Sequence, residues 1–384
     1  MRKDFRTDPA PGTSSQGAMS IWARCVGEGA LCESMFDNAR LGETVRKNRL
    51  EASFDERKTP EVTIQTDTVL RWVQGQRGDM GSSIVTRHNS VPTFSTQTLE
   101  LDKPYQLADD VFWVGFYNDQ TGLSANPYVI VDGDEAVIIN SGSRSDFPLV
   151  MMKIMQTGIV PSSIVALIYQ NYDPRLCGSI PHMEGIIDRN DLKIISDEAN
   201  HMFIRHYCDR TRMLGLGEIG FEFRFRSGRS LQFIKIPYAH SAGSFVTFDS
   251  RSGILFTGDL FSGYARKWDL LLQLKPECYR CLDPGTSTCP NQISYCPVAD
   301  VMEFHRVIMP SERALRFALD QISRVPFTVI APQHGWVIRK AEDIILLCER
   351  LATLQAVGID GAIGNRAFSE LGDTRAVKER LHRT

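Results

Sequence analysis

Four side chains that commonly bind metals each follow a short hydrophobic segment of this sequence. Asp173, His240, Asp259 and His334 supply two carboxylates and two imidazoles, a mixed oxygen and nitrogen set suited to transition metals. The segments before them are hydrophobic and rich in β-branched residues, which predicts strands at residues 164–168, 233–236, 254–256 and 327–330. Polar residues at strand ends are positioned by a rigid sheet and open into a cleft. The pattern therefore predicts a metal site at the edge of a sheet.

The residues beside these four limit what such a site can hold. Asn171, Arg175 and Leu176 occupy the same loop as Asp173, and all three are poor or impossible ligands. Taken alone, a histidine before a glycine, or an aspartate after one, is often only a turn residue with local hydrogen bonds. The matching positions at four strand ends favour a site of metal-binding ancestry over that alternative. They do not by themselves establish catalysis.

The elements that must position these residues alternate between strands and helices. A hairpin is predicted at residues 128–139 with its turn at 132–135, because Asp-Gly lies between two hydrophobic runs. Helices are predicted at 147–156, 176–187, 198–208, 298–325 and 341–355, and further strands at 111–116, 192–196, 221–225, 231–236 and 244–248. This order occurs in two successive halves. It predicts an α/β fold with two sheets packed face to face and helices outside, an αββα sandwich.

The first 97 residues differ in amino-acid composition from the rest of the chain. We predict an N-terminal extension over residues 1–97, partly disordered because residues 1–17 are rich in Ser, Pro, Gly and charge, with a helical pattern at 21–50. The αββα domain is predicted over residues 98–384. No candidate catalytic residue is found in the extension.

Composition excludes several classes of function. The 384-residue chain is 42% hydrophobic with a net charge of −3, so nucleic-acid binding has no compositional support. No segment approaches the roughly 18 consecutive apolar residues of a membrane helix, and the N-terminus lacks a signal-peptide core. Nine cysteines, an odd number without an export signal, argue against a disulfide framework. We expect a cytoplasmic protein with no membrane contact.

Four of the cysteines form a second candidate metal site. Cys278, Cys281, Cys289 and Cys296 follow Cys-x₂-Cys-x₇-Cys-x₆-Cys spacing in an insertion at residues 276–297 that has four prolines and no helical period. Four thiolates around zinc would give this segment a core, although only the first pair has the spacing of a zinc knuckle. Free cysteines and an iron–sulfur cluster remain alternatives.

The ligand positions and their neighbouring motifs resemble the metallo-β-lactamase fold. Within that fold, residues 99–356 are similar to the flavodiiron proteins and to their flavodoxin-less relatives that bind oxygen at a di-iron site. The order and spacing of several stretches carry the resemblance: Asn-Pro-Tyr at 126–128, Cys-Gly-Ser-Ile-Pro at 177–181, His-Ser-Ala-Gly-Ser-Phe at 240–245, Leu-Phe-Thr-Gly-Asp at 255–259 and Ala-Pro-Gln-His-Gly at 331–335.

The first ligand motif departs from the family pattern. Relatives carry His-x-Asp-Pro-Asp or His-x-Glu-x-Asp-His where this chain has Asn171, Asp173 and Arg175. The resemblance implies that one metal keeps Asp173, His240 and a bridging Asp259, while the other keeps only Asp259 and His334. A guanidinium donates hydrogen bonds only and repels cations. We expect Arg175 to pair with Asp173 or Asp259, and the site to hold one weakly bound metal or none, with an intact two-iron site the less favoured alternative.

Three functional classes remain open. The resemblance implies an iron-dependent oxidoreductase or an oxygen- or NO-binding protein, with one iron and at most two. Its electrons would come from a separate redox partner, because no Gly-rich flavin or nucleotide loop is visible, and homo-oligomers are compatible with it. A non-catalytic sensor or scaffold on the same fold is the second class. A metallo-hydrolase is the third, although the His-x-His-x-Asp-His pattern of that branch is absent.

Overall fold

A computed structural model gives the fold of the chain from residue 100 onward. It describes residues 100, 102–118, 123–208, 210–282, 284–285, 289 and 293–364. The predicted extension at residues 1–97, its helical pattern at 21–50 and its boundary with the αββα domain lie outside the described residues.

The first sheet contains seven strands in the order β1-β2-β5-β6-β7-β8-β9. These are β1 Tyr105–Ala108, β2 Val111–Trp113, β5 Tyr128–Asp132, β6 Glu135–Ile139, β7 Ile164–Ile168, β8 Lys193–Ser196 and β9 Arg212–Gly215, while β3 Phe116–Asn118 and β4 Leu123–Ala125 form a separate ribbon. β5 and β6 are the predicted antiparallel hairpin, and β6 to β9 pair in parallel. Every residue of β6 and β7 is buried, as expected for strands covered on both faces.

The second sheet contains five strands in the order β10-β11-β12-β13-β14. They are β10 Glu222–Arg224, β11 Ser230–Lys235, β12 Phe245–Asp249, β13 Ile254–Gly258 and β14 Val329–Pro332. The first four pair antiparallel, and β14 pairs in parallel with β13. β11, β13 and β14 therefore run in the same direction and present their carboxyl ends at one edge.

Helices cover the outer face of each sheet. α1 Phe147–Gln156, α3 Ile180–Ile187 and α4 Glu198–Ile204 pack on the first sheet, with the short α2 Pro174–Cys177 between β7 and α3. α5 Pro297–Ile308, α6 Glu312–Ile322 and α7 Ala341–Ala352 pack on the second sheet, and α8 Ile359–Ile363 follows. Alternate residues of each strand divide between layers: Val137 and Ile139 lie between the sheets, whereas Ile138 contacts the helices. The predicted αββα sandwich is confirmed.

Several element boundaries differ from the sequence prediction. The single helix predicted at 298–325 is two helices, because Pro310 interrupts the backbone hydrogen bonds and Ser311 caps the second helix through Ala314 N–H at 3.2 Å. The strand predicted at 111–116 breaks at Gly115, where a Cβ would lie 2.1 Å from the Ala125 carbonyl oxygen. The helix predicted at 176–187 is likewise divided into α2 and α3, and β9 was not predicted. No helix in the described ranges is long and apolar enough to cross a bilayer.

Candidate metal centre

The four predicted ligand residues lie just beyond the carboxyl ends of four strands. Asp173 follows β7 of the first sheet, while His240, Asp259 and His334 follow β11, β13 and β14 of the second. The two sheets meet at this edge, since Asn171 after β7 donates a hydrogen bond to Asp259 after β13 at 2.8 Å. The predicted placement of polar side chains at strand ends is therefore what the structure has.

Asp259 is the centre of this cluster. Its carboxylate is buried, with the residue only 2% exposed, and it accepts hydrogen bonds from three side chains. Oδ2 accepts from His240 Nδ1 at 2.5 Å and from Asn171 Nδ2 at 2.8 Å, while Oδ1 accepts from Gln333 Nε2 at 2.5 Å. Both oxygens are thus bound by nitrogen donors of the protein itself. The charge of this buried carboxylate is compensated without an ion.

One ring nitrogen of His334 is anchored by a hydrogen bond, and the other has no partner. Its Nδ1–H donates to the Ser124 carbonyl oxygen at 2.6 Å, which fixes the tautomer and leaves the lone pair on Nε2. Nε2 is buried and has no hydrogen-bond partner. Burial lowers the pKa of His334, against the opposing effect of the Asp259 charge, so the ring is neutral at physiological pH. A neutral imidazole with its far nitrogen anchored to a carbonyl is the usual state of a metal-ligating histidine.

His240 is half-buried and held in a left-handed backbone conformation. Its φ of 94° is uncommon for a residue with a side chain, and such outliers persist where the surrounding structure enforces them. The turn around it is closed by hydrogen bonds from Tyr238 N–H to the Ser241 carbonyl at 2.8 Å and from Ala239 N–H to the Ile236 carbonyl at 2.9 Å. The hydrogen bond to Asp259 raises the pKa of His240, opposite to the shift of His334.

Asp173 is paired with Arg175, one of the two partners predicted for that guanidinium. Arg175 Nη2 lies 2.5 Å from Asp173 Oδ2, and Nε lies 3.0 Å from the same oxygen. Burial acts to raise the pKa of Asp173, but the hydrogen bonds and charge of Arg175 outweigh it and lower the pKa. The Arg175 side chain is 46% exposed, so it lies at the solvent side of the cluster.

Two residues outside the predicted ligand set support the cluster, and sequence reasoning missed the role of Asn126. Asn126 Nδ2 donates to the carbonyls of Pro332 and Gly335 at 3.0 and 3.2 Å, which fixes the loop that carries His334. His305 Nε2 accepts from Phe261 N–H at 3.0 Å and holds the turn after Asp259, a structural role that agrees with its position on α5. A search for metal ligands overlooks such residues, because amides and distant helices give no ligand signal.

The cluster is not a ready-made metal site. Across the part of the chain that the structure describes, no three or more His, Cys, Asp or Glu side chains are grouped so that they could hold an ion. His240 and Asp259 are in contact, whereas Asp173 and His334 each have another partner. The four cysteines of the insertion border a separate small cavity. The assignment of all eight residues as metal ligands stays a prediction.

The sequence matches one known protein family. A family model described as ODP family beta lactamase matches residues 123–335, more than half of the sequence. The chain belongs to this family. The matched span contains the four predicted core ligands and the cysteine insertion, so the substitutions at Asn171 and Arg175 occur inside the family's own domain. The resemblance to the metallo-β-lactamase fold and its di-iron branch is confirmed.

Solved structures of the ODP family and of flavodiiron proteins share this fold. The chemotaxis sensor ODP, known from T. denticola, matches in its peroxy diiron form with 22% identity and a TM-score of 0.53, over 67% of this chain and 97% of that one. Rubredoxin oxygen:oxidoreductase from Desulfovibrio gigas matches with 16% identity and a TM-score of 0.51, over 65% of this chain and 61% of that one. At these identities the likeness establishes the fold alone.

A flavoprotein is also similar to this chain over part of its length. The diflavin flavoprotein A 2 of Synechocystis sp. is 21% identical over 215 residues, which is 56% of this chain. The chain spans about a third of that relative's length, as 33% of it is covered.

Proposed function

We propose that this protein binds oxygen or nitric oxide at a single, weakly held iron and acts in sensing or ligand binding, rather than as a two-iron oxidoreductase. The family supports the class of ligand, since relatives of the same fold include a chemotaxis sensor in a peroxy diiron form and an oxygen:oxidoreductase. The number of irons is argued from the residues of this chain.

The observation that carries this proposal is the unpartnered Nε2 of His334. A buried nitrogen without a hydrogen bond costs about 1–3 kcal/mol, and an ion would remove that cost. The contact of His240 with Asp259 supplies a second imidazole and a carboxylate in the same cluster. These three residues would hold the iron, with Asp173 as a fourth ligand once it leaves Arg175. When bound, the iron supplies the redox-active position at which the diatomic ligand coordinates.

The residues do not fit a second iron. Asn171 stands where relatives have an imidazole, and its amide is already bound to Asp259 and, at 3.2 Å, to Gln333 Oε1. Arg175 stands where relatives have a carboxylate, and its charge disfavours a cation nearby. Asp259 cannot bridge two ions while both of its oxygens accept hydrogen bonds from three donors.

The remaining side chains position and tune this site. The Ser124 carbonyl keeps the His334 Nε2 lone pair available, and Gln333 and Asn171 hold the Asp259 carboxylate in a fixed orientation. An ion must compete with these hydrogen bonds, so we expect weak binding. Electrons for any reduction would come from a separate redox protein, and homo-oligomerisation is compatible with the proposal. A cytoplasmic location belongs to it too, since none of the seven described cysteines forms a disulfide.

A metal-free sensor or scaffold is the second candidate. The specific observation in its favour is that Asp259 and Asp173 are each compensated by protein donors, three nitrogens for the first and a guanidinium for the second. A chain arranged in this way is electrostatically complete without an ion.

Metal stoichiometry after anaerobic purification tests the proposal. We expect about one iron or less per chain, and, on addition of NO, the paramagnetic signal of an isolated iron. His334→Ala should abolish both, whereas His182→Ala, which removes an exposed imidazole from α3, should change neither. Two irons with the signature of a coupled pair would refute the one-iron proposal. Absence of iron even after anaerobic reconstitution with Fe(II) would leave the scaffold as the function.

A further inference from the structure

The cysteine-rich insertion folds so that its four thiols surround one small cavity. Cys278 lies in a 3₁₀ helix, Pro276–Arg280, and Cys281 caps its end, while Cys296 immediately precedes α5. These three and Cys289 all line a cavity of about 20 Å³. Such a volume exceeds the roughly 10–15 Å³ that one water needs, so it admits a single ion. We call it the cysteine cavity.

The segment around the cysteine cavity has little apolar support of its own. Leu282 is 90% exposed, and the 3₁₀ helix has no buried residue. Cys278, Tyr279 and Cys296 pack at the margin of the second sheet's core. Polar contacts with α7 add to this: Arg350 donates to the Cys281 carbonyl, and Tyr279 Oη donates to Asp343 at 2.6 Å. None of the four thiols forms a disulfide.

We propose that the four thiols of the cysteine cavity hold one structural zinc ion. Zinc prefers four ligands in a tetrahedron, and four thiolates make a closed site. Binding releases four thiol protons to solvent and leaves a net charge of about −2 on the zinc tetrathiolate, from one Zn²⁺ and four thiolates. Arg350 lines the same cavity and offsets that charge, against one carboxylate, Glu277. In the structure the thiols are not grouped closely enough to ligate, so the proposal requires them to move inward when zinc binds.

Metal analysis distinguishes zinc from an iron–sulfur cluster, because a cluster carries inorganic sulfide and several irons between its cysteines. The proposal is independent of the iron site, because no residue is shared between the two.

The zinc would brace an element that supports the core cluster. Cys296 is the N-terminal cap of α5, and α5 carries Asp300 and His305. Asp300 accepts from Ala265 N–H at 2.8 Å and His305 from Phe261 N–H at 3.0 Å, which hold the loop after Asp259. A zinc ion that fixed the start of α5 would therefore restrict the motion of the loop after Asp259.

The test uses the full chain, with zinc measured per protein by elemental analysis. The wild type should retain about one zinc, Cys281→Ser should lose it, and residues 276–297 should become protease-sensitive in that variant. Cys208→Ser is the matched control, since Cys208 is also a partly buried cysteine outside any disulfide but does not line the cavity. It should keep both the zinc and the iron content of the wild type.

X-ray absorption at the zinc edge of the wild type keeps the test valid if Cys281→Ser fails to fold. Four sulfurs at about 2.3 Å are expected. A shell with nitrogen or oxygen ligands would overturn the proposal. So would equal zinc loss in Cys208→Ser, the presence of iron and sulfide in the insertion, or four rapidly reacting thiols in protein that takes up no zinc.

Discussion

Removing the positive charge of Arg175 should strengthen iron binding at the core cluster. In the present arrangement Asp173 makes three side-chain contacts with this guanidinium, at 2.5, 3.0 and 3.2 Å, and cannot act as a ligand until they break. Arg175→Ala frees the carboxylate, and Arg175→Asp with Asn171→His restores the ligand types that relatives have. The single variant should bind one iron more tightly, and the double variant should add a second.

The size of the first effect follows from the exposure of the pair. Fully exposed ion pairs contribute up to about 1 kcal/mol, and breaking a buried one costs about 3–5 kcal/mol. The Asp173 side chain is 9% exposed and that of Arg175 is 46% exposed, so solvent screens the pair from one side. We therefore expect that removing the ion pair makes the free energy of iron binding about 1–2 kcal/mol more favourable, which corresponds to an affinity gain of about 5–30-fold in Arg175→Ala.

Anaerobic titration of metal-free protein with Fe(II) against a competing chelator measures this gain. Arg189→Ala is the matched control, because Arg189 forms a pair of the same sequence separation with Asp191 at 2.7 Å, far from the cluster. Its affinity should equal that of the wild type. Unchanged affinity in Arg175→Ala, or an equal gain in both variants, would show that the Asp173 pair does not limit binding. An unchanged metal count in the folded double variant would mean that Asn171 and Arg175 do not occupy ligand positions.

Three further predictions concern the support of the cluster. Burial lowers the pKa of His305 to about 4, so the unfolded chain takes up the proton at a higher pH than the folded chain does. The free energy of unfolding should therefore fall by about 3 kcal/mol as the pH drops from about 6.5 to about 4. Denaturation of the wild type and of His305→Gln across this range should show a smaller loss in the variant. Asp249→Ala should destabilise the fold by about 3–5 kcal/mol in urea, because it leaves the buried Arg229 guanidinium without its carboxylate; a loss below about 1 kcal/mol would contradict this. Asn126→Ala should lower stability by about 1–3 kcal/mol and weaken iron binding through the loop of His334, and unchanged iron affinity would disprove that link.

The central strands β6 and β7 were predictable because their burial is continuous. β7 coincides with its hydrophobic run at residues 164–168, since both faces of the strand are covered and every position must be apolar. α5 and α6 were not separated, because their hydrophobic spacing was given more weight than the two signals of a break, Pro310 and the cap at Ser311. The short β9 has one exposed and one half-buried residue at its start, a weak signal for a strand at a sheet edge.

For the cluster, ligand types and strand ends predicted which residues come close, but not what they bind. Arg175 forms its salt bridge with Asp173, because the two residues are only two positions apart on one loop and a local ion pair is favoured. The donation by Gln333 to Asp259 depends on how β13 and β14 pair, which the sequence does not state. An amide beside a predicted ligand therefore had no assigned partner until the sheet was known.

The hydrogen bonds around Asp259 have a consequence for how this protein matures. A carboxylate buried among cation ligands alone becomes an isolated charge when the ion is absent, at a cost of several kcal/mol. Here His240, Asn171 and Gln333 satisfy it within the chain. Folding therefore does not require an ion at Asp259, and the polypeptide can reach its final form before any metal binds there.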